Sequence, residues 1–436
     1  MPDHRQIYEM DRLLPRYIFR SDQPSLWAMA RRGVSDIASV VPDAILHEPA
    51  VQLPGSGAPL IVADPGLVRE VLNDRHGRFT RDRLMRRLFR RSWGDGIAGA
   101  EGAPWQRQRR AAASAFRPAA VEQQGAAFAA IAERAVSSWP VGERIDLTQQ
   151  AARIVAEVVF SVLVDGAGLV DPATVASDMP AYIRRIAGFG LKDVARLPES
   201  VHDRLSGIDR DPAVRRIKAA ARILASNRRA DSRDMIALLR DVGPIEDNIR
   251  GLLPAAMDTT VVGLSWTLYI LAAQPEWQAR VAAEARANDG CWTLDQIPIT
   301  LRVVKEALRL YPPAPFLVRS AAASGTLGGF PIRKGQPISL SIYAMHRHHR
   351  SWPDPDHFDP DRFLPEAGST PAWMPFGVGP RSCIAAQFAL AEIAVIAARL
   401  LADLKLHTLE PAPELTLSVA CRSATGLHII AKRREQ

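Results

Sequence analysis

Near the carboxyl end, "FGVGPRSCIAAQ" (376–387) sets one sulfur on a glycine-built loop just ahead of a helix of small residues. Gly377 and Gly379 permit a tight turn and the close approach of a flat ligand. Backbone amides and the axial dipole at a helix start favour negative charge on Cys383. A thiolate placed this way is a soft, strong metal ligand. Arg381, two residues earlier, could neutralise that charge or hold a carboxylate on the ligand's edge. Cys291 and Cys421 have no comparable context and read as small apolar residues.

A second constellation is "GLLPAAMDTTVVGLSWTLYILAAQ" (251–274), apolar around nearly its whole circumference and therefore a buried helix. Asp258, Thr259 and Thr260 interrupt it. A buried carboxylate must be bonded, solvated or functional. Small Ala255 and Ala256 leave room beside it, a threonine hydroxyl can bond back to the preceding turn, and Pro254 removes a backbone donor. Such a wet notch in a dry helix could relay protons through an acid and an alcohol; the competing reading is an acid that merely caps a break. In "KEALRLYPP", Glu306 and Arg309 are three apart on one helical face. With Arg362 of "FDPDRF" they would form a buried folding element. In "GAEGAPWQRQRR", Trp105 and Arg109 lie four apart and could address one anionic group together.

The elements that must position these residues are mostly helical. "AAASAFRPAAVEQQGAAFAAIAERAVSSW" and "AEIAVIAARLLADLKL" repeat apolar residues at three- and four-residue intervals. "APLIVAD" reads as a short strand feeding a helix at "DPGLVREVL". "GTLGGFPIRKGQPISLSIYA" alternates around glycine turns and reads as a small hairpin. No repeat or linker divides the chain, so one mainly α unit with a minor β component is expected over residues 1–436.

At 47% hydrophobic residues the chain can bury a large core. Three cysteines without CxxC spacing argue against a disulfide framework and a zinc site. The net charge of +8 suits an acidic partner, and no nucleic-acid motif accompanies it. "HRHH" (346–349) lacks partner ligands and reads as surface. The amino terminus is broken by charges and reads as neither signal nor membrane anchor, which points to a soluble, cytoplasmic protein.

In their order along the chain these motifs resemble the cytochrome P450 haem-thiolate family. "FGVGPRSC" resembles its cysteine-ligand loop, "AAMDTT" its oxygen-activating helix, "EALR" its Glu-x-x-Arg motif, "FDPDRF" the segment with the second arginine, and "WQRQR" its Trp-x-x-x-Arg haem contact. The resemblance implies a mostly helical, triangular domain with haem b between the Asp258 and Cys383 helices. It implies Cys383 as axial iron ligand, with Arg381, Trp105, Arg109 and Arg319 on the propionates and Phe376 packed against the loop. Asp258 and Thr259 would deliver protons during oxygen activation. Two positions depart from the family: Ala385 and Ala256 replace commoner glycines. The methyl of Ala385 is expected to crowd the haem or the backbone near sulfur, and Ala256 to narrow the oxygen notch.

The activity implied is a monooxygenase acting on a hydrophobic small molecule with O2. Electrons would come from NAD(P)H through a reductase and an acidic ferredoxin-type donor that docks near Arg107, Arg109 or Arg110. Alternatives are a haem-thiolate protein that does not activate O2, such as a binding protein or isomerase, and a peroxide-driven enzyme. By the same resemblance the substrate pocket would draw on "RDRLMRRLFRRSWGDG", "MPAYIRRIAGFG", Ala255, "PFLV" and "VACRSATG". Arg83, Arg86, Arg87 and Arg90 read as a solvated loop, with binding of an acidic substrate as the alternative.

Overall fold

A computed structural model describes residues 14–21, 37–55, 57–166, 168–187, 207–227 and 234–435. Helices dominate, as the periodicity predicts. In the first half they are α1 (Pro65–Leu72), α2 (Arg83–Trp93), α3 (Gly102–Ala112), α4 (Gly125–Ser138), α5 (Leu147–Val158) and α6 (Pro172–Ala187). The second half adds α7 (Pro212–Ser226), α8 (Ile245–Ala273), α9 (Pro275–Ala287), α10 (Pro298–Leu310) and α11 (Ala386–Asp403).

Local chemistry sets the ends of these helices. Asp64 accepts from the amide of Leu67 at 2.9 Å ahead of Pro65, so α1 starts with a side-chain cap and a preset φ. Asp211 caps α7 ahead of Pro212 in the same way. α10 stops at Leu310, where Tyr311-Pro312-Pro313 cannot continue it.

The β component is small. Strands β1 (Ala50–Gln52), β2 (Leu60–Val62) and β3 (Phe79–Arg81) join β5 (Phe316–Ala321) and β8 (Pro337–Ser341) in one sheet of order β1-β2-β8-β5-β3. β4 (Arg144–Asp146) lies in a second sheet with β9 (Leu404–Thr408) and β12 (His428–Arg433). Two hairpins complete the set, β6 (Gly325–Leu327) with β7 (Phe330–Ile332) and β10 (Leu415–Leu417) with β11 (Cys421–Ser423).

α8 and α11 form the buried centre. α8 continues through Pro254 and is buried at every residue from Thr260 to Ala273. It is long and apolar enough to cross a membrane, but 78% of its apolar window is buried inside the protein. Gly263 lets α8 approach α11 closely: a Cβ there would stand 2.8 Å from Ile393 Cδ1. At the amino-terminal end of α11, Phe388 meets Phe116 and Phe128 edge-on at 6.0 and 5.1 Å.

Candidate active site

The loop before α11 is held by its own backbone. Gly377 and Gly379 sit at φ of +66° and +79°, where side chains are strained, and a Cβ on Gly379 would lie 2.4 Å from the Leu72 carbonyl. The Cys383 amide donates to the Phe376 carbonyl at 2.9 Å, and Phe376 packs on Trp373 at 6.0 Å. Ala385 occupies φ −98°, a region open to any residue, so its methyl strains no backbone.

Cys383 has exposed surface, yet the surrounding protein is the largest influence on its thiol. Burial pushes the thiol up; a bond from the Ala385 amide and the charge of Arg109 pull it partly back. The helix start and its cation therefore do not by themselves outweigh burial. A metal cation on sulfur would. Arg109, whose Nη2 is 3.4 Å from Ser382 Oγ, is the cation that acts on this sulfur, in place of Arg381.

Arg381 belongs to a cluster assembled from three parts of the chain. Its guanidinium lies 3.8 Å above the Trp105 ring and donates to the Ala100 carbonyl at 3.0 Å, and Arg109 lies 5.7 Å from the same ring. The β3–β5 register sets Arg81 opposite Arg319. Glu101 stands 3.3 Å from Arg81 and 3.5 Å from Arg381. Four arginines thus share one acid. Burial and the positive charges of Arg81, Arg319 and Arg109 hold Arg381 down to about 10, despite Glu101. Its buried Nη1 has no hydrogen-bond partner among the described residues. Such a cluster suits a ligand that carries carboxylates. Arg81 escaped the sequence reading because strand pairing brings it here, and Glu101 because its two arginine partners are distant in sequence.

On α8, Ala255 and Thr259 are exposed one turn apart in an otherwise buried helix. The Thr259 hydroxyl donates back to the Ala255 carbonyl at 2.9 Å. One turn further, Gly263 packs against Ile393 of α11, the helix that follows the Cys383 loop. Asp258 does not cap a break: it forms an ion pair with Arg422 of β11 and is largely buried. Arg422 is 164 residues away in sequence, and no local pattern marks the pair.

The third motif is fully buried. Glu306 accepts from Arg309 Nε and Nη2 at 2.7 and 2.8 Å and from the Asp359 amide at 2.9 Å, with Arg362 Nε at 3.4 Å. Arg309 also donates to the carbonyls of His346, Pro355 and His357. His346 and His348 are buried, which corrects the surface reading of "HRHH". The His346 ring bridges the Arg309 carbonyl and the Met374 amide, and burial beside Arg309 lowers it to about 3. A second correction concerns Arg83–Arg90, which lie on helix α2 and not in a loop. Of the expected pocket segments, residues 188–190 lie outside the described residues.

The donor set therefore fits a flat, dianionic metal chelate. Cys383 would hold the metal, and Arg81, Arg109, Arg319, Arg381 and Trp105 its carboxylates. The small face of Ala255 and Thr259 leaves space beside it. That combination defines a haem-thiolate protein.

Comparison with known proteins agrees. A family model described as cytochrome P450 matches residues 241–424, a range that holds Asp258, Glu306, Arg309, Arg362, Cys383 and Arg422. Cytochrome P450 4A10 of Mus musculus is 40% identical over 183 residues, which is 39% of this chain and 36% of the mouse protein. Taurochenodeoxycholic 6 alpha-hydroxylase of Sus scrofa is 40% identical over 41% of this chain and 37% of its own. The matched stretch thus spans little more than a third of these relatives. Among solved structures, the cytochrome P450DA heme domain has a TM-score of 0.73 at 22% identity and covers 89% of this chain and 90% of its own. A six-coordinated cytochrome P450 from Thermus thermophilus has a TM-score of 0.69 at 25% identity, over 89% and 95%. Residues 241–424 thus match the cytochrome P450 family, whose proteins bind haem through a cysteine thiolate.

Proposed function

We propose that residues 1–436 form one haem-thiolate monooxygenase domain that inserts one atom of O2 into a hydrophobic small organic molecule. The observation that carries this reading is the exposed Cys383 sulfur beside Arg109 on its glycine loop, next to an arginine cluster in excess of its acids. When bound, haem would supply oxygen activation, with thiolate pushing electron density onto iron to favour O–O cleavage.

The residues of the chain do the rest. Arg81, Arg109, Arg319 and Arg381 orient the cofactor by its carboxylates. The Ala385 amide and Arg109 favour the charged form of Cys383. Thr259 holds a proton at its hydroxyl, anchored to the Ala255 carbonyl. Asp258, steadied by Arg422, exchanges protons with the far side of α8 and feeds that hydroxyl. The apolar wall of α8 excludes stray water from the reacting end.

We assign electron delivery to a separate acidic ferredoxin-type protein docked on the exposed arginines of α3, Arg107 and Arg110, with its NAD(P)H-dependent reductase. A flavoprotein reductase is the competing donor; reconstitution with each decides between them. The burial of α8 within the protein supports a cytoplasmic enzyme, which cell fractionation tests.

The test of the activity is substrate-dependent NAD(P)H consumption that yields a product carrying one oxygen atom from labelled O2. Turnover with hydrogen peroxide alone would instead make the chain peroxide-driven. Substrate binding without oxygenated product under either condition would make it a protein that does not activate O2.

A further inference from the structure

α8 is a wall with two sides. Successive residues advance by about 100° around a helix, so Ala255, Thr259 and Gly263 share one side. Met257 and Val261 point the other way, with Asp258 between the two sets. That second side borders a cavity of about 570 Å³ between α5, α6 and α8. Cys383, Ala255 and Thr259 do not line it. Its volume falls in the range of roughly 300–1,000 Å³ typical of small-molecule sites. Ala152, Ala176, Met179 and Met257 give it a mainly apolar body.

Its charged groups are not equally committed. Asp146 is spent as the cap of α5, accepting from the amides of Thr148 at 2.8 Å and Gln149 at 3.4 Å. Asp258 is spent on Arg422, which also lines the cavity. Arg153 is exposed and takes part in none of the ion pairs or hydrogen bonds among the described residues. The uncommitted charge in this chamber is therefore positive.

We propose that this cavity is a second ligand site for a compact, apolar monocarboxylate. The carboxylate pairs with Arg153, and the hydrocarbon lies against Ala152, Ala176 and Met257. Arg422 faces the same space, so the anion competes with Asp258 for its guanidinium. Occupancy on one side of α8 is thereby coupled to the acid that serves the other. The site itself uses no cofactor, and its link to the proposed reaction runs through Asp258 and Arg422.

The experiment takes the protein as purified, with any haem iron capped by a bulky azole. Cyclohexanecarboxylate is titrated by calorimetry, with cyclohexanol as the uncharged control. Expected is saturable one-site binding that weakens about tenfold for cyclohexanol and for Arg153→Ala, equivalent to about 1.4 kcal/mol, and that is lost when Ala152→Phe fills the chamber. Arg153→Ala removes an exposed side chain and decides the matter even if Ala152→Phe does not fold. Absence of saturable heat, as from a chamber that holds only water, overturns the site. So does binding that is indifferent to Arg153→Ala.

Discussion

Removing the Glu306 carboxylate tests what the Glu-x-x-Arg motif contributes. The side chains of Glu306 and Arg309 are 0% exposed. Glu306→Ala would strand the Arg309 cation without a counter-ion and leave the Asp359 amide unpaired. Breaking a buried ion pair from one side costs about 3–5 kcal/mol, against a total stability of about 5–15 kcal/mol. Glu306→Gln keeps the shape and one acceptor and should cost less. Arg309→Ala should cost at least as much as Glu306→Ala, because the carbonyls of His346, Pro355 and His357 lose their donor as well. The internal control is the Arg78–Glu70 pair, equally short at 2.7 Å but nearly half exposed. There Glu70→Ala should cost under about 1 kcal/mol. Urea unfolding followed by tryptophan fluorescence measures all four variants. A Glu306→Ala cost no larger than that of Glu70→Ala would refute the argument from burial.

Glu392 is a buried acid whose Oε1 has no partner, and burial holds its carboxyl well above the ordinary range. The unfolded chain ionises first, so stability falls by about 1.4 kcal/mol per pH unit from the ordinary carboxyl value up to the folded one. Glu392→Gln should flatten that slope and raise the urea midpoint at neutral pH; an unchanged slope would show that Glu392 does not cause it. Arg381→Ala should speed haem loss to an acceptor apoprotein, and an unaltered rate would take Arg381 out of the carboxylate cluster. Thr259→Ala should divert reducing equivalents to hydrogen peroxide, and full coupling would remove that hydroxyl from proton delivery.

Much of the site could be read from the chain because its chemistry is local. The Cys383 loop carries glycines whose positive φ is a property of neighbouring residues, and Glu306 and Arg309 share a face by helical period alone. Arg362 of "FDPDRF" was joined to that pair from the sequence, and the resemblance added its role as the second arginine. Other features depend on distant pairing. Arg422 reaches Asp258 through a hairpin far along the chain, and Arg81 enters the cluster because β3 pairs with β5. His346 and His348 look like surface residues in a polar run, yet His346 is buried by the carbonyl it lends to Arg309. Helix α2 was missed because its arginines were read as a solvated run, although the apolar residues between them recur at helical spacing.

The most direct measurement is the absorption spectrum of the reduced carbon monoxide complex of the purified protein, wild type against Cys383→Ala. Thiolate ligation predicts the red-shifted Soret band of this family in the wild type and its disappearance in the variant. A band that survives the substitution unchanged, or wild-type protein that takes up no haem, would contradict the assignment of Cys383 as the iron ligand.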